Sequence, residues 1–250
     1  MNTFSCSIFC SFYKGEKFIN GYLDDVLRQS IFSDIEFVFL DCNSPEKEKN
    51  YILPLTQKYA NIKYYKLDTD PGLYAAWNNA VAMCSAPIIG NWNIDDRKNP
   101  ESLEILLNEF DNDPDLDMTY GATYISRIAN EKFEDNVQNE IYPCYRHSLN
   151  NLLQHNSPHC MPLWKKSIHD RIGYFNTQYD TVSDAELWLK LAAYRGKIKE
   201  CDNIVGLYYW NPEGRSTDIN LAQKNSIESY DMRTKIIQLI SDLSISKTEI

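Results

Sequence analysis

The feature that most constrains this chain is the alternation of two hydrophobic patterns between residues 4 and 92. Residues 4–12 (FSCSIFCSF), 35–40 (IEFVFL), 62–67 (IKYYKL) and 86–92 (APIIGNW) are short runs rich in β-branched and aromatic residues, bounded by polar turns, and read as strands. Helical patterns separate them. Residues 18–29 (FINGYLDDVLRQ) put Phe18, Tyr22, Val26 and Leu27 on one helical face. Residues 46–59 read as a helix whose Pro54 predicts a kink or a second start, and residues 74–83 (YAAWNNAVAM) have helical composition. Such an alternation predicts an α/β fold with a Rossmann-like, mainly parallel central sheet flanked by helices, and ligands at the carboxyl ends of the strands.

Composition decides three further points. With 43% hydrophobic residues and 17 Tyr in 250 residues, a sizeable core is available. A net charge of −10 argues against a nonspecific grip on a nucleic-acid backbone. Any phosphate is then met at one small site. The seven cysteines, at 6, 10, 42, 84, 144, 160 and 201, are odd in number and lack CxxC spacing, which predicts a reducing, cytoplasmic compartment and no structural zinc. The first residues, MNTFSCSIFCSFYKGEKF, do not resemble a signal peptide, and no apolar run approaches the roughly 18 residues of a membrane span.

The strand ends collect the chemistry. They carry Ser11, Phe12 and Tyr13, then Asp41, Asn43 and Ser44, then Asp68 and Asp70, and finally Asn93, Asp95 and Asp96. Asp95 and Asp96 are adjacent like charges, each making the other harder to ionise. A divalent cation would resolve the conflict, and so would plain solvent exposure. No glycine-rich loop of the G-x-G-x-x-G or Walker type accompanies them. Carboxylates without such a loop suggest that a hard cation, Mg²⁺ or Mn²⁺, supplies the positive charge.

An ordered series of segments over residues 4–217 resembles the family 2 glycosyltransferases, which have the GT-A fold and use nucleotide-sugar donors. SIFCSFYKGEKFINGYLDDVLRQS is similar to the opening strand, loop and helix of that family, and IEFVFLDCNSPE to its second strand and acidic turn. DPGLYAAWNNAVAMCSAPIIGNWNIDD is similar to the Gly-Leu-Tyr helix and the strand that ends in the metal-binding acids. VSDAELWLKLAAYRGK is similar to the segment that carries the catalytic acid. The resemblance departs from the family pattern at the missing proline of Cys10–Tyr13, at Cys42 and at Asn93, where the family often has the first acid of its D-x-D motif.

The resemblance implies roles. Asp95 would bind Mn²⁺ or Mg²⁺ on the donor diphosphate, with Asp96 a second ligand or an anchor for the loop. Asp41 would accept a hydrogen bond from the nucleobase. Ser11, Tyr13, Asp70 and Asn93 would meet the rest of the nucleotide. Asp184 would be the general base of an inverting displacement, its place near a helix start being also that of a cap or first-turn acid with Ser183 as N-cap. His159 would lie near the acceptor or diphosphate, and Arg215 on a loop that closes over the donor. His155 and His169 flank His159 without a zinc-hydrolase pattern.

A UDP-sugar is favoured over a GDP- or dTDP-sugar as donor, with a glycan or lipid-linked acceptor in surface polysaccharide assembly. The implied organisation is a GT-A domain over residues 1–218, with a nucleotide-sugar half to about residue 100 and an acceptor-side extension beyond it. Residues 119–143 are polar and show no strong pattern. The helical tail of residues 219–250 is open to packing on the domain, to dimerisation and to contact with the inner face of a membrane. Two other readings stand beside this one: a sugar nucleotidyltransferase, disfavoured by the missing phosphate loop, and a non-catalytic nucleotide- or glycan-binding member, which Asn93 keeps in play.

Overall fold

The computed structural model describes residues 4–159 and 161–245. Met1, Asn2 and Thr3 of the N-terminal reading, Cys160 among the cysteines and residues 246–250 of the tail lie outside them. The first part of the chain alternates β1 (Cys6–Phe12), α1 (Glu16–Leu27), β2 (Ile35–Asp41), α2 (Lys49–Lys58), β3 (Ile62–Lys66), α3 (Leu73–Met83) and β4 (Ile88–Asn91). The second part adds β5 (Arg97–Lys98), α4 (Ser102–Asn112), β6 (Met118–Ser126), α5 (Leu149–Gln154), β7 (Leu163–Lys165), α6 (Ile168–Ile172), α7 (Ser183–Ala193), β8 (Ile198–Tyr209) and α8 (Ala222–Ile245).

One eight-stranded sheet, in the order β3-β2-β1-β4-β7-β6-β8-β5, runs through both parts. β3, β2, β1 and β4 are parallel, β7 is antiparallel to its neighbours β4 and β6, and β8 is parallel to β6. Every residue of β2 is buried because both faces of the sheet are covered. Val38 and Leu40 face a core built around Phe9, Trp77, Trp164 and Trp188; their neighbours Phe37 and Phe39 face a second core with Ile8, Tyr22 and Leu106. That is why these strands read as unbroken apolar runs.

The structure fills in three places that the sequence left open. Residues 118–126, the start of the segment without a pattern, form β6 in the sheet interior, where Thr119, Thr123 and Ser126 are buried. Its composition is polar, yet Thr and Tyr suit a pleated surface. Pro54 sits inside α2 and does not end it. α8 is an integral helix: Met232 and Ile236 are buried in the same core as Trp188 on α7.

Gly90 faces Leu163 where β4 pairs with β7. A Cβ there would lie 2.5 Å from the Leu163 side chain and 2.8 Å from the Pro162 carbonyl oxygen. Gly90→Ala must therefore push the two strands apart, and we expect a loss of about 1–3 kcal/mol, the range for overpacking. Urea unfolding checks this as a lowered midpoint with an unchanged slope.

Candidate active site

The chain switches from one side of the sheet to the other at β1, which lies between β2 and β4. Loops leaving the carboxyl ends of such strands diverge and leave a crevice. Here the loops after β1 and β2 are fastened together. Glu48, 1% exposed, accepts hydrogen bonds from the Gly15 backbone N–H at 2.6 Å and the Ser44 hydroxyl at 2.9 Å. The Ser44 oxygen in turn accepts from the Lys14 N–H at 3.1 Å.

A cavity of about 520 Å³ opens over these strand ends, within the usual size range of small-molecule sites. Of the ten residues expected at the site, it brings together Ser11, Tyr13, Asp70, Asn93, Asp95, Asp96, His159, Asp184 and Arg215. Asp41 stands apart from the lining. It is buried, its Oδ1 accepting from the Ser44 N–H at 2.7 Å and its Oδ2 from the Tyr64 hydroxyl at 2.6 Å. Those contacts make it the brace of the turn after β2.

The acid turn after β4 contains two unlike carboxyl groups. Asp96, 1% exposed, accepts from the Tyr209 N–H at 3.0 Å through Oδ1 and from the Asn93 amide at 3.1 Å through Oδ2. Both of its oxygens are engaged within the protein, so its contacts are those of the loop anchor. Burial and then the Asp95 charge raise its pKa well above the ordinary carboxylate value. The Asp95 carboxylate accepts from the Asn211 amide, 3.5 Å from its Oδ2, and from its own backbone N–H. Burial raises its pKa as well. Arg97 wraps the turn from beneath, donating to the carbonyl oxygens of Asp96 at 3.0 Å and Phe18 at 3.3 Å.

This donor set fits a hard divalent ion in one way. Among the described residues there is no group of three or more His, Cys, Asp or Glu side chains that could hold a metal alone. Mg²⁺ and Mn²⁺ sites that take one or two carboxylates and complete the shell with substrate phosphates need no such group. Asp95 lines the cavity with an oxygen to spare, and a cation beside it would relieve the burial of its charge.

Asp184 is not a capping residue. α7 begins at Ser183, and its N-cap, Val182, makes no side-chain cap, while the Ser183 hydroxyl is buried without a partner. The Asp184 carboxylate accepts from the Tyr74 hydroxyl at 2.9 Å and the Asn156 amide at 2.7 Å. Each of its oxygens keeps a further lone pair for a substrate proton. His159 stacks on Tyr142 at 4.7 Å and meets Tyr208 edge-on at 4.6 Å. Burial pushes its pKa below the ordinary value despite the Asp184 charge, so the imidazole is neutral near pH 7. His155 stacks on Tyr145, and His169 is a structural residue hydrogen-bonded to Trp164 and Gly173.

A family model described as glycosyl transferase family 2 matches residues 7–172, more than half of the chain. The chain belongs to glycosyl transferase family 2. Solved structures share its fold. S. aureus TarS 1-349 in complex with UDP has a TM-score of 0.69 at 17% identity, covering 96% of this chain and 65% of its own. The complex of the same protein with UDP-GlcNAc has a TM-score of 0.70 at 18% identity, with coverages of 86% and 61%. A mannosyltransferase from Pyrobaculum calidifontis, in complex with GDP-Man and Mn²⁺, has a TM-score of 0.63 at 14% identity, with coverages of 85% and 59%. The chain thus spans less than two thirds of the length of these solved chains. No curated protein matches the sequence.

This glycosyl transferase family 2 chain also uses residues that the sequence did not single out. Tyr74 stood inside the Gly-Leu-Tyr segment and Asn156 between two histidines, but only the fold brings both to Asp184. Ser229, Met232 and Arg233 of α8 line the cavity, and no local pattern marks them.

The raised carboxyl groups give a test with a definite sign. An acid whose folded pKa lies above its unfolded value binds more protons when folded, so its ionisation destabilises the fold as pH rises above about 3.8. At neutral pH without metal, Asp95→Asn should therefore raise Tm by about 2–4 °C, the shift that 1 kcal/mol makes in a chain of this size. Mn²⁺ should raise the Tm of the unsubstituted protein and not that of the variant. Thermal melts at pH 5 and 7.5, with and without Mn²⁺, check both expectations.

Proposed function

We propose that this protein transfers a sugar from a nucleoside diphosphate sugar to an acceptor hydroxyl with inversion at the anomeric carbon, and that Asp184 is the general base. The observation that carries the reading is the environment of Asp184: its carboxylate is aligned by Tyr74 and Asn156 on the cavity that Asp95 also lines. As the acceptor oxygen attacks the anomeric carbon, Asp184 takes its proton and the bond to the diphosphate oxygen breaks. Tyr74 and Asn156 hold the carboxylate's orientation, so little is lost in reorganisation at that step.

The donor side lies at the strand ends. Ser11 and Tyr13 meet the base and ribose, Asp70 and Asn93 border the nucleotide, and Asp41 shapes the turn after β2 without reaching it. Asp95 would hold Mn²⁺ or Mg²⁺, which when bound supplies counter-charge to the departing diphosphate. Arg215, exposed on the loop after β8 and lining the cavity, adds positive charge from the other side. The solved structures named above bind UDP, UDP-GlcNAc and GDP-Man. UDP-sugars are the first donors to test, and the acceptor is a glycan or a lipid-linked acceptor of surface polysaccharide or glycoconjugate assembly. Among the described residues no helix is long and apolar enough to cross a membrane.

A donor screen following nucleoside diphosphate release from UDP-, GDP- and dTDP-sugars, with and without Mn²⁺, tests the reading. Absence of binding to every nucleoside diphosphate, with metal and without, would sink it. Asp184→Asn separates chemistry from binding. The Tyr74 hydroxyl can turn to accept from the new amide, so stability should change by no more than about 1 kcal/mol. Nucleotide affinity should hold while transfer falls by roughly 10²–10⁴, the range for a lost general base. Unimpaired turnover would remove Asp184 from the mechanism.

A further inference from the structure

The connection that enters α7 is bound along its length by α8. Glu228, 9% exposed, turns one carboxylate oxygen, Oε2, onto three donors: the backbone N–H of Asp180 at 3.0 Å, that of Thr181 at 3.1 Å and the Thr181 hydroxyl at 3.1 Å. On either side, Tyr179 donates its hydroxyl to Asp231 at 2.6 Å and Lys224 pairs with Asp180. Thr181 and Val182 line the cavity, and Asp184 follows in the first turn of α7. The start of this helix has no side-chain cap of its own. A carboxylate taken this far out of water is costly unless its donors are fixed, so Glu228 and the backbone at 180–181 hold each other in place.

We propose that Glu228 is a positioning residue for the reaction: by fixing the backbone ahead of α7 it sets where the Asp184 carboxylate meets the acceptor hydroxyl. The inference rests on the reading of Asp184 as the base. Tyr74 and Asn156 fix the direction of the carboxylate, and Glu228 fixes how far the helix start advances into the cavity. Misplacement of a reacting group by about 1 Å costs on the order of 10²-fold in rate, so a contact remote from the substrate can govern turnover. The same helix places Ser229, Met232 and Arg233 on the cavity wall, which couples the position of the base to the wall the acceptor meets.

A double-mutant cycle tests this on the full chain, with a donor that the unsubstituted protein turns over. Glu228→Ala should lower kcat for transfer about 10- to 100-fold. The Kd for the nucleoside diphosphate should stay within about twofold, because the strand ends are untouched. Glu228→Gln keeps a side-chain oxygen for the N–H groups and should recover most of the rate. In an Asp184→Asn background, Glu228→Ala should cost less than about twofold more, since no base remains to be positioned. A folded Glu228→Ala protein with unchanged kcat, or losses that multiply in the double variant, overturns the proposal. Should Glu228→Ala not fold at the assay temperature, Glu228→Asp, which withdraws the carboxylate by one methylene, enters the same cycle with the same outcomes. If Asp184→Asn itself keeps full turnover, the reading of the base has failed; if Asp184→Asn collapses and Glu228→Ala does not, only the role of Glu228 has.

Discussion

A carboxyl group with 1% exposure needs donors from the protein itself, and Asp96 finds one within its own turn and one on a strand remote in sequence. The Tyr209 N–H at the end of β8 and the Asn93 amide after β4 both point at it. That contact, together with the pairing of β5 on β8 just beyond the turn, joins the outlet of β4 to the outlet of β8, although β7 and β6 lie between them in the sheet. The Trp92 indole N–H and the Arg97 guanidinium add bonds to the Asp96 carbonyl. With the turn locked at Asn93 and Asp96, Asp95 is presented between two fixed points. The cavity borders this closure: Tyr208, Tyr209, Trp210 and Asn211 line it from the end of β8, which pairs with β6 and, just beyond the acid turn, with β5.

Under the proposed reading, the two carboxylates on the cavity wall suit opposite tasks. Asp95 has one weak side-chain donor and is disfavoured as a bare anion by burial. It is a group that gains by meeting a cation. Asp184 has a donor on each oxygen and a fixed orientation, so it can receive a proton without moving. Buried ionic groups are weak evidence for stability. Arg97, 2% exposed beneath the acid turn, is accordingly better understood through its geometry: its guanidinium also donates to Asn130, tying the turn to the segment after β6.

The first half of the fold was legible because parallel strands buried on both faces give continuous apolar runs, and the side chains just past them are polar by contrast. Asp95, Asp96 and Asp70 could be located on that basis alone. Asp41 stands at a strand end, where the apolar run before it predicts, but the direction of its side chain depends on the turn that follows. Asn43 adopts a left-handed conformation, φ +61°, and the Ser44 N–H captures the carboxylate. β6 was not legible because its polar residues are buried by pairing with β7 and β8, strands remote in sequence. Glu228 is a still clearer case, its donors lying 47 and 48 residues away. Helical propensity marked α8, while nothing local marked which acid of that helix would turn inward.

The two sides of the cavity therefore differ in how they are built. The donor side is set by the register of four parallel strands and by short loops fastened through Glu48, Asp41 and Asp96, all of them within the segment that the family model matches. Asp184 and part of the wall beyond it stand on α7, α8 and the loop after β8, which follow residue 172. Under the proposed reading, the chemistry common to nucleotide-sugar transfer rests on the first set, where strand register leaves little freedom. Acceptor choice rests on the second, where helices pack through side chains that can change without disturbing the sheet. One chain can then keep its reaction while its acceptor changes, provided that whatever replaces α8 still holds the backbone ahead of Asp184.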